Sequence, residues 1–292
     1  MQMPNHWGML LALPLALSFS ATPVSAADEP SAVEEVSFQS AGAVLAGTLV
    51  IPPKILAAAV VVHGSGRDER TLPFAYALAR QGVAILTYDK RGVGRSGGIY
   101  VGPEVGTNNV DSSNLALLAQ DASSAVDELI RKLPANRGPV GLIGFSQAGW
   151  IIPLAAERNH NVQFMVLWSG PLATTHEQLR FQFYTQQNPD FWVHHTEAEA
   201  REHIKGDRDA FQFVDTDPRD ALEPLSIPDL WLFGGRDVNV PVNLSLERLK
   251  TLIARGKPFE FRVFPKAGHM LDDGDAFPAT MQWLSGKAPQ IH

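Results

Sequence analysis

The sequence predicts an α/β fold with a doubly wound, mostly parallel sheet, and two observations lead to this prediction. Short, continuous apolar runs recur along the chain and have the length and composition of strands that are buried on both faces. Segments with apolar residues at helical spacing stand between these runs. Strands that alternate with helices in this way imply βαβ crossovers, and therefore a parallel sheet covered by helices.

The predicted elements follow one another in a regular order. A β-hairpin comes first, over residues 33–51, because apolar and polar residues alternate on both sides of the Ser40-Ala41-Gly42 turn. Buried strands are then predicted at residues 57–62, 83–88, 140–145, 164–168, 229–233 and 259–264. Helices are predicted at about residues 71–81, 112–133, 147–158, 242–255 and 276–285.

Residues 172–226 interrupt this alternation. The segment is polar, has helical character with scattered aromatic residues, and contains no strand-like run. About 55 residues is too long for a plain connection within a compact domain. We therefore predict a helical cap, residues 172–226, inserted over the carboxyl edge of a sheet formed by residues 27–171 and 227–292.

The N-terminal residues predict a signal peptide. Residues 9–17 form an apolar run that is too short to span a bilayer comfortably, since a spanning helix needs roughly 20 apolar residues. Val24-Ser25-Ala26 then offers a cleavage site, so residues 1–26 are predicted to be removed and the protein to be periplasmic or secreted. The first residues contain no Lys or Arg, which leaves an uncleaved anchor or a leader without structure as alternatives. No later segment is long and apolar enough to span a membrane.

The composition narrows the functional classes. The 292 residues carry a net charge of −7 without a long run of like charges, which disfavours a nucleic-acid partner. The absence of cysteine excludes a disulfide framework, a thiolate nucleophile and Cys-ligated zinc. His194-His195 lacks the accompanying carboxylate motif of common zinc sites, and we expect no bound metal.

A serine motif stands between a predicted strand and a predicted helix. In Gly144-Phe145-Ser146-Gln147-Ala148-Gly149, a sharp strand-to-helix turn would expose the Ser146 hydroxyl above the sheet edge. The usual pattern is Gly-x-Ser-x-Gly, and here Ala148 takes the position of the second glycine. The alternative interpretation is an ordinary glycine-serine turn in a βα unit.

A base and an acid for Ser146 follow in the chain order that is typical of this serine turn. Asp237 comes shortly after the strand at 229–233, and His269 comes shortly after the strand at 259–264. Both predicted positions lie beyond carboxyl ends of strands, where ligands bind in open α/β sheets. Asp237 could instead serve only an Asx turn, and His269 could be a solvated loop residue. Three further carboxylates compete as the acid, and for one of them helix capping is the alternative role: Asp272, Asp273 and Asp275.

The Gly-rich segment 89–96 has neither the spacing of a phosphate-binding loop nor that of a dinucleotide-binding loop. We predict a rigid turn tied together by Asp89 and Arg91.

Together these motifs resemble the α/β-hydrolase superfamily, across nearly all of the mature chain. His63-Gly64-Ser65-Gly66, the segment 88–94, the Ser146 motif and Gly268-His269 are similar to the serine aminopeptidase-like and dienelactone hydrolase-like bacterial branch. The resemblance implies an eight-stranded type of sheet, a Ser-His-Asp triad, an oxyanion hole and usually no cofactor. A serine nucleophile argues against haloalkane dehalogenases and epoxide hydrolases, which use aspartate. The missing cysteine argues against a true dienelactone hydrolase.

The resemblance also implies that the loop 63–66 supplies an oxyanion donor. We assign the backbone N–H groups of Ser65 and Gln147 to this role, and we expect His63 to be structural. A simple βα turn is the alternative interpretation of this loop.

The leading functional hypothesis is hydrolysis of a small-molecule carboxylic ester through an acyl-enzyme on Ser146, with an apolar pocket lined by cap aromatics. An aminopeptidase or amidase is the first alternative, and it would need an acidic anchor for the substrate amine. The cap offers Glu177, Glu197, Glu199 and Glu202 for that role. Acyl transfer to another acceptor, and a catalytically silent binding protein on the same fold, remain as further alternatives.

Overall fold

The computed structural model describes residues 30–103, 107–206, 211–272 and 274–287. The predicted signal peptide, residues 1–26, lies outside the described residues. Within those ranges the strands are β1 (Ala32–Ser40), β2 (Ala43–Ile51), β3 (Ala57–Val62), β4 (Val83–Tyr88), β5 (Val140–Phe145), β6 (Phe164–Trp168), β7 (Asp229–Gly234) and β8 (Phe259–Phe264). The helices are α1 (Leu72–Arg80), α2 (Ser112–Lys132), α3 (Ala148–Arg158), α4 (Thr175–Thr185), α5 (Phe191–His194), α6 (Glu197–Lys205), α7 (Pro218–Leu222), α8 (Val242–Ala254) and α9 (Ala276–Lys287).

The eight strands form one open sheet in the order β1-β2-β4-β3-β5-β6-β7-β8. β1 pairs with β2 and β2 pairs with β4 in antiparallel fashion, and every later neighbour is parallel. The predicted α/β fold with a doubly wound, mostly parallel sheet is therefore confirmed. The antiparallel start follows from the tight hairpin turn, where Ala41 and Gly42 both have positive φ.

Helices cover both faces of the sheet and produce two apolar cores. One core contains α2 and α3 with part of α8, and includes Leu115, Trp150 and Leu249. The other core contains α1 and α9, and includes Phe74 and Trp283. Strands β3 to β7 are buried along their whole length, because side chains from both of their faces enter one core or the other.

The segment between β6 and β7 forms helices α4, α5, α6 and α7 in its described part. Two of them begin with reciprocal capping boxes, Thr174 with Glu177 and Thr196 with Glu199, in which a threonine three residues before a glutamate satisfies exposed backbone N–H groups. These local signals explain why a polar stretch without strand character folds into helices. The division into a core and a separate cap stays a prediction.

The parallel strands all point their carboxyl ends to the same edge of the sheet. β3 leads into the loop at His63, β5 into Ser146, β7 into the loop that bears Asp237, and β8 into the loop that bears His269. This edge gathers the chemically active side chains that are far apart in sequence. Within the described ranges, no helix has the length and apolar character needed to cross a membrane.

Asp229 lies at the opposite edge, at the start of β7, and is fully buried. Burial raises the pKa of the Asp229 carboxyl well above its ordinary value, because neither carboxylate oxygen has a well-formed hydrogen bond in the described part of the chain to replace its lost solvation. The folded protein therefore favours the protonated, neutral form of this side chain.

Replacement of Asp229 by asparagine tests this protonation state. Because the folded-state pKa lies above the unfolded one, unfolding above about pH 4 releases a proton, and wild-type stability falls as the pH rises toward the folded-state pKa. Asp229→Asn imitates the neutral form and removes this loss, so its free energy of unfolding should exceed that of the wild type by about 1 kcal/mol at pH 8. The difference should shrink toward pH 4. Urea denaturation across this pH range measures it, and equal pH dependence of both proteins would contradict the prediction.

Candidate active site

Ser146 lies in a strained turn between β5 and α3. Its φ is +52°, in the left-handed region that serine rarely adopts, and its backbone N–H donates to the Trp168 carbonyl oxygen at 2.9 Å. Gly144 permits the turn, because a Cβ there would overlap the Ala148 methyl group and approach the Val62 carbonyl oxygen. Strand, helix and neighbouring strand therefore meet with no space for a side chain at this position.

Ala148 departs from the usual glycine, and the structure gives a physical reason why it fits. Its methyl group is fully buried and occupies the space that the missing side chain of Gly144 leaves open. The close approach to a neighbouring loop falls one residue later, at Gly149, where a Cβ would overlap Pro171. The close backbone contact that requires a glycine therefore lies at Gly149, one residue after the usual glycine position of the motif.

The loops after β7 and β8 are joined by backbone contacts. A Cβ on Gly234 would overlap the Gly268 carbonyl oxygen. The loop after β8 can therefore cross the end of β7 only because residue 234 has no side chain. Gly235 donates its N–H to Phe264 at 2.8 Å, and Arg236 donates to Ala267 at 2.9 Å. These bonds hold the two loops side by side and bring their functional side chains together.

The structure brings Ser146, His269 and Asp237 into one chain of hydrogen bonds. His269 Nε2 lies 2.9 Å from Ser146 Oγ, and His269 Nδ1 lies 2.8 Å from Asp237 Oδ2. Asp237 Oδ1 accepts from the backbone N–H groups of Asn239 at 2.7 Å and Val240 at 3.0 Å. Asp237 therefore has both of the roles considered for it: Oδ1 forms an Asx turn, and Oδ2 is hydrogen-bonded to His269.

The competing carboxylates take no part in this chain of hydrogen bonds where the structure describes them. Asp272 is exposed, and Asp275 directly precedes α9. Asp273 lies outside the described residues. His269 therefore has Asp237 as its carboxylate neighbour.

Asp237 controls the protonation of His269. Burial alone would lower the pKa of the imidazole, but the Asp237 carboxylate and its hydrogen bond outweigh burial and raise that pKa. The side chain of Asp237 is itself buried, so the carboxylate acts in a poorly solvated environment where its charge is weakly screened.

Ser169 is a contributor to the site that sequence reasoning missed. It follows the end of β6, has a φ of +51°, and donates its hydroxyl to the backbone carbonyl of His269 at 2.7 Å. This bond fixes the main chain of the histidine, while Asp237 fixes its ring. The sequence carries no signal for it except that Ser169 stands at the carboxyl end of a predicted buried strand.

The loop after β3 passes beside Ser146. Gly64 lies so close that a Cβ there would be 3.6 Å from the Ser146 Cβ. In the part of the chain that the structure describes, the Ser65 and Gln147 N–H groups donate to no other group.

His63 is buried, and its Nε2 lies 2.5 Å from the backbone carbonyl oxygen of Tyr88 at the end of β4. Burial lowers the pKa of the His63 ring. This contact attaches the start of the loop after β3 to β4.

Asp89 ties the predicted turn after β4 together, whereas Arg91, the other residue that the sequence suggested, connects this turn to α2 and to the end of β1. The Asp89 carboxylate accepts from the Arg70 guanidinium at 2.7 and 2.8 Å and from the Arg95 backbone N–H at 2.8 Å. Although burial opposes ionisation, these donors lower the pKa of Asp89 to about 2. Arg91 forms a buried ion pair with Asp121 on α2. Breaking such a pair by removing one partner costs about 3–5 kcal/mol.

The inserted helices are attached directly to the loop that bears Asp237. On α4, the Thr185 hydroxyl donates to the Val238 carbonyl at 2.5 Å, and the Gln178 amide donates to the Asn239 carbonyl at 2.8 Å. The Glu197 carboxylate of α6 accepts from two backbone N–H groups in the first turn of α8 at 2.7 and 2.8 Å.

The aromatic residues of the insertion are used mainly in packing. Phe181 and Phe191 are buried with Ala200 and Val238 in a cluster of their own. A second group includes the stacked pair Phe183 and Phe211, whose rings are 6.2 Å apart. Phe181 and Phe191 therefore fill the interior of a small helical unit, and the apolar pocket lined by cap aromatics stays a prediction.

The four glutamates considered as an amine anchor all have other partners. Glu177 pairs with Arg248 and caps α4. Glu197 caps α8, Glu199 caps α6, and Glu202 pairs with Lys205. Across the described ranges, no three His, Asp or Glu side chains are grouped so that they could hold a metal ion.

The geometry defines a class of protein before any comparison. An eight-stranded sheet of this order, a left-handed serine after β5, and the histidine and aspartate after the last two strands are the features of an α/β-hydrolase that uses a serine. His269 Nε2 is close enough to accept the Ser146 proton, which would make the hydroxyl oxygen a nucleophile.

Comparison with known proteins agrees with this class. A model of the serine aminopeptidase family S33 matches residues 53–219, which is more than half of the chain, and the protein belongs to this family. Esterase EstD of Thermotoga maritima is 27% identical over 284 residues, which cover 88% of this chain and 64% of EstD. The chain thus spans less than two thirds of the length of that relative.

Solved structures show the same fold at low identity. An esterase of Pyrococcus furiosus superposes with a TM-score of 0.61 and 19% identity, over 87% of this chain and 88% of that one. An acylaminoacyl peptidase of Pyrococcus horikoshii superposes with a TM-score of 0.63 and 17% identity, over 90% of this chain and 43% of that one. The family match together with this shared fold shows that the protein is an α/β-hydrolase of the serine hydrolase type.

The dependence of His269 on Asp237 can be measured by titration. Asp237→Asn removes the carboxylate that raises the pKa of the ring and leaves burial as the main influence, so the pKa of His269 should fall. NMR of the imidazole nitrogens against pH reports this change directly. Asp272→Asn removes an exposed carboxylate three residues after the histidine and serves as the control, with an unchanged titration. An unchanged His269 pKa in Asp237→Asn would show that another group sets it.

Proposed function

We propose that this serine hydrolase cleaves carboxylic esters through an acyl-enzyme on Ser146, with His269 as the base and Asp237 as the acid that orients it. The observation that carries the proposal is the unbroken hydrogen-bond chain from Ser146 Oγ through both nitrogens of His269 to a buried carboxylate. A lone serine hydroxyl is a weak nucleophile near neutral pH, and such a chain activates it.

The reaction proceeds in two halves. Ser146 Oγ attacks the ester carbonyl carbon while His269 Nε2 takes the hydroxyl proton, and the carbonyl oxygen becomes an oxyanion. The oxyanion then collapses, the alcohol leaves with the proton from His269, and the acyl group stays on Ser146. Water repeats the attack with the same proton movements, and the acid is released with Ser146 restored.

Two backbone donors support the stabilisation of the oxyanion. The N–H groups of Ser65 and Gln147 belong to loops that flank Ser146, and neither donates to another described residue. Such preorganised donors act where negative charge develops and contribute a large share of the rate enhancement.

Ester cleavage is favoured over aminopeptidase action, although the matching family is named for the latter. An aminopeptidase needs a carboxylate that is available to the substrate amine. The four glutamates that could serve are engaged in helix caps and ion pairs. Two of the similar proteins are esterases, which accords with the same preference.

Substitution of the three residues tests the mechanism. Ser146→Ala, His269→Ala and Asp237→Asn should each leave a folded protein whose turnover of p-nitrophenyl esters is reduced roughly a thousandfold or more. Asp229→Asn, at the opposite edge of the sheet, should retain wild-type turnover and serves as the matched control. Near-normal activity of Asp237→Asn would mean that another carboxylate is the acid.

A substrate panel tests the reaction class. p-Nitrophenyl esters of two to twelve carbons are compared with p-nitroanilides of amino acids, and Ser146→Ala is assayed beside the wild type. We expect Ser146-dependent turnover of the esters with a burst of nitrophenol, the sign of an acyl-enzyme that accumulates. Turnover confined to the anilides would replace the esterase proposal by an aminopeptidase.

A further inference from the structure

Lys90 is a buried lysine at the carboxyl edge of the sheet, two residues after the end of β4, and its residue exposure is 3%. Its Nζ donates to the Gly64 carbonyl at 2.6 Å, to the Gly66 carbonyl at 3.3 Å and to Gln147 Oε1 at 3.1 Å. Three oxygen acceptors match the three donors of an ammonium group, which compensates for its removal from water.

The first of these contacts fixes a peptide group in the loop after β3. The Gly64 carbonyl and the Ser65 N–H belong to the same planar trans peptide unit, so they point in opposite directions. A donor that holds the carbonyl therefore sets the direction of the N–H. A hydrogen bond from a charged donor also polarises the peptide unit and makes its N–H a stronger donor.

The contact with Gln147 connects this loop to the start of α3. Gln147 accepts from Lys90 through Oε1 and donates through Nε2 to the Asn109 carbonyl at 2.8 Å, so both ends of its side chain amide are held. The backbone N–H of the same residue is the second proposed oxyanion donor. Lys90 thus touches both of the elements that supply the two donors.

The backbone of Lys90 is itself fixed on both sides. Its own N–H donates to the Asp68 carbonyl at 3.1 Å. The preceding residue, Asp89, is bound to Arg70, and the following residue, Arg91, is paired with Asp121 on α2. The ammonium group therefore projects from a rigid turn rather than from a loose loop.

We propose that Lys90 is a positioning residue that holds the Ser65 and Gln147 N–H groups at a fixed separation and direction for the oxyanion. The inference rests on the proposed function. Because the donors are needed most when charge develops on the substrate oxygen, loss of Lys90 should reduce kcat and leave KM nearly unchanged.

The first test compares Lys90→Met with Lys257→Met. Lys257 also donates through Nζ to two backbone carbonyls, those of Glu223 and Leu225, at the edge of the sheet away from Ser146. Removal of one oxyanion donor costs about a hundredfold to a thousandfold in kcat, and we expect Lys90→Met to lose about ten- to a hundredfold because both donors remain but are less well held. Lys257→Met should keep the wild-type kcat.

A ligand that imitates the tetrahedral intermediate separates positioning from general destabilisation. A trifluoromethyl ketone adds to the serine and forms an oxyanion, whereas a ketone of the same shape without fluorine binds mainly in its ground-state form. We expect Lys90→Met to weaken the first inhibitor by the same factor as kcat and to leave the second within about twofold.

Chemical restoration of the amine gives a second variant. The chain contains no cysteine, so Lys90→Cys introduces a unique thiol. Alkylation with 2-bromoethylamine in denaturant, followed by refolding, rebuilds a side chain of lysine length with a terminal amine, and iodoacetamide gives a neutral adduct instead. The amine adduct should regain most of the kcat and the neutral adduct should not, with wild type taken through the same steps as the control.

The outcomes distinguish the two levels of the proposal. If the wild type shows no Ser146-dependent turnover of esters or anilides, the proposed function fails and this inference fails with it. If the wild type is active and Lys90→Met keeps its kcat, or the neutral adduct is as active as the amine adduct, only the role of Lys90 is overturned. Loss of the folded state in both Lys90→Met and the neutral adduct would assign Lys90 to stability and would also overturn the inference.

Discussion

Two close backbone approaches, at Gly144 and Gly234, set the distances on which the site depends. At Gly144 the missing side chain lets β3, β5 and α3 meet, and Ser146 follows two residues later in a left-handed turn. At Gly234 the loop after β8 crosses the end of β7, so that His269 reaches Asp237 from a position 32 residues away and Ser146 from one 123 residues away. The hydrogen bonds of the site are a consequence of these packing contacts, since side chains of ordinary length could not bridge a wider gap.

The side chains around Ser146 are held by partners that serve more than one element. Asp237 forms an Asx turn with one oxygen and holds the histidine ring with the other, while Ser169 holds the main chain of that histidine. Lys90 binds the loop after β3 and the side chain of Gln147, the residue directly before α3. Each contact is short and largely shielded from water, and such an arrangement loses little energy to reorganisation when charge develops nearby.

Much of the fold and of the site could be predicted because their signals are local. A run such as residues 57–62 is apolar throughout, which indicates a strand buried on both faces, and the Ser146 motif is contained within six residues. The strand order, in which β4 lies between β2 and β3, is not encoded in any short stretch of sequence. Lys90 and Ser169 were missed for the same reason, since their partners lie 26, 57 and 100 residues away.

The hydrogen bonds from α4 to Val238 and Asn239 make the inserted helices and the acid loop a single mechanical unit. Exchange of the whole insertion for that of a relative would remove the donors to the Val238 and Asn239 carbonyls and so disturb the loop that bears the aspartate. Transplants that begin after Thr185 would keep these two bonds, but they would still replace Phe191 and Ala200, which are clustered with Val238, and Glu197, which binds the first turn of α8. Changes in α4, α5 or α6 therefore act on the position of the Asp237 carboxylate through the contacts of these helices with Val238 and Asn239.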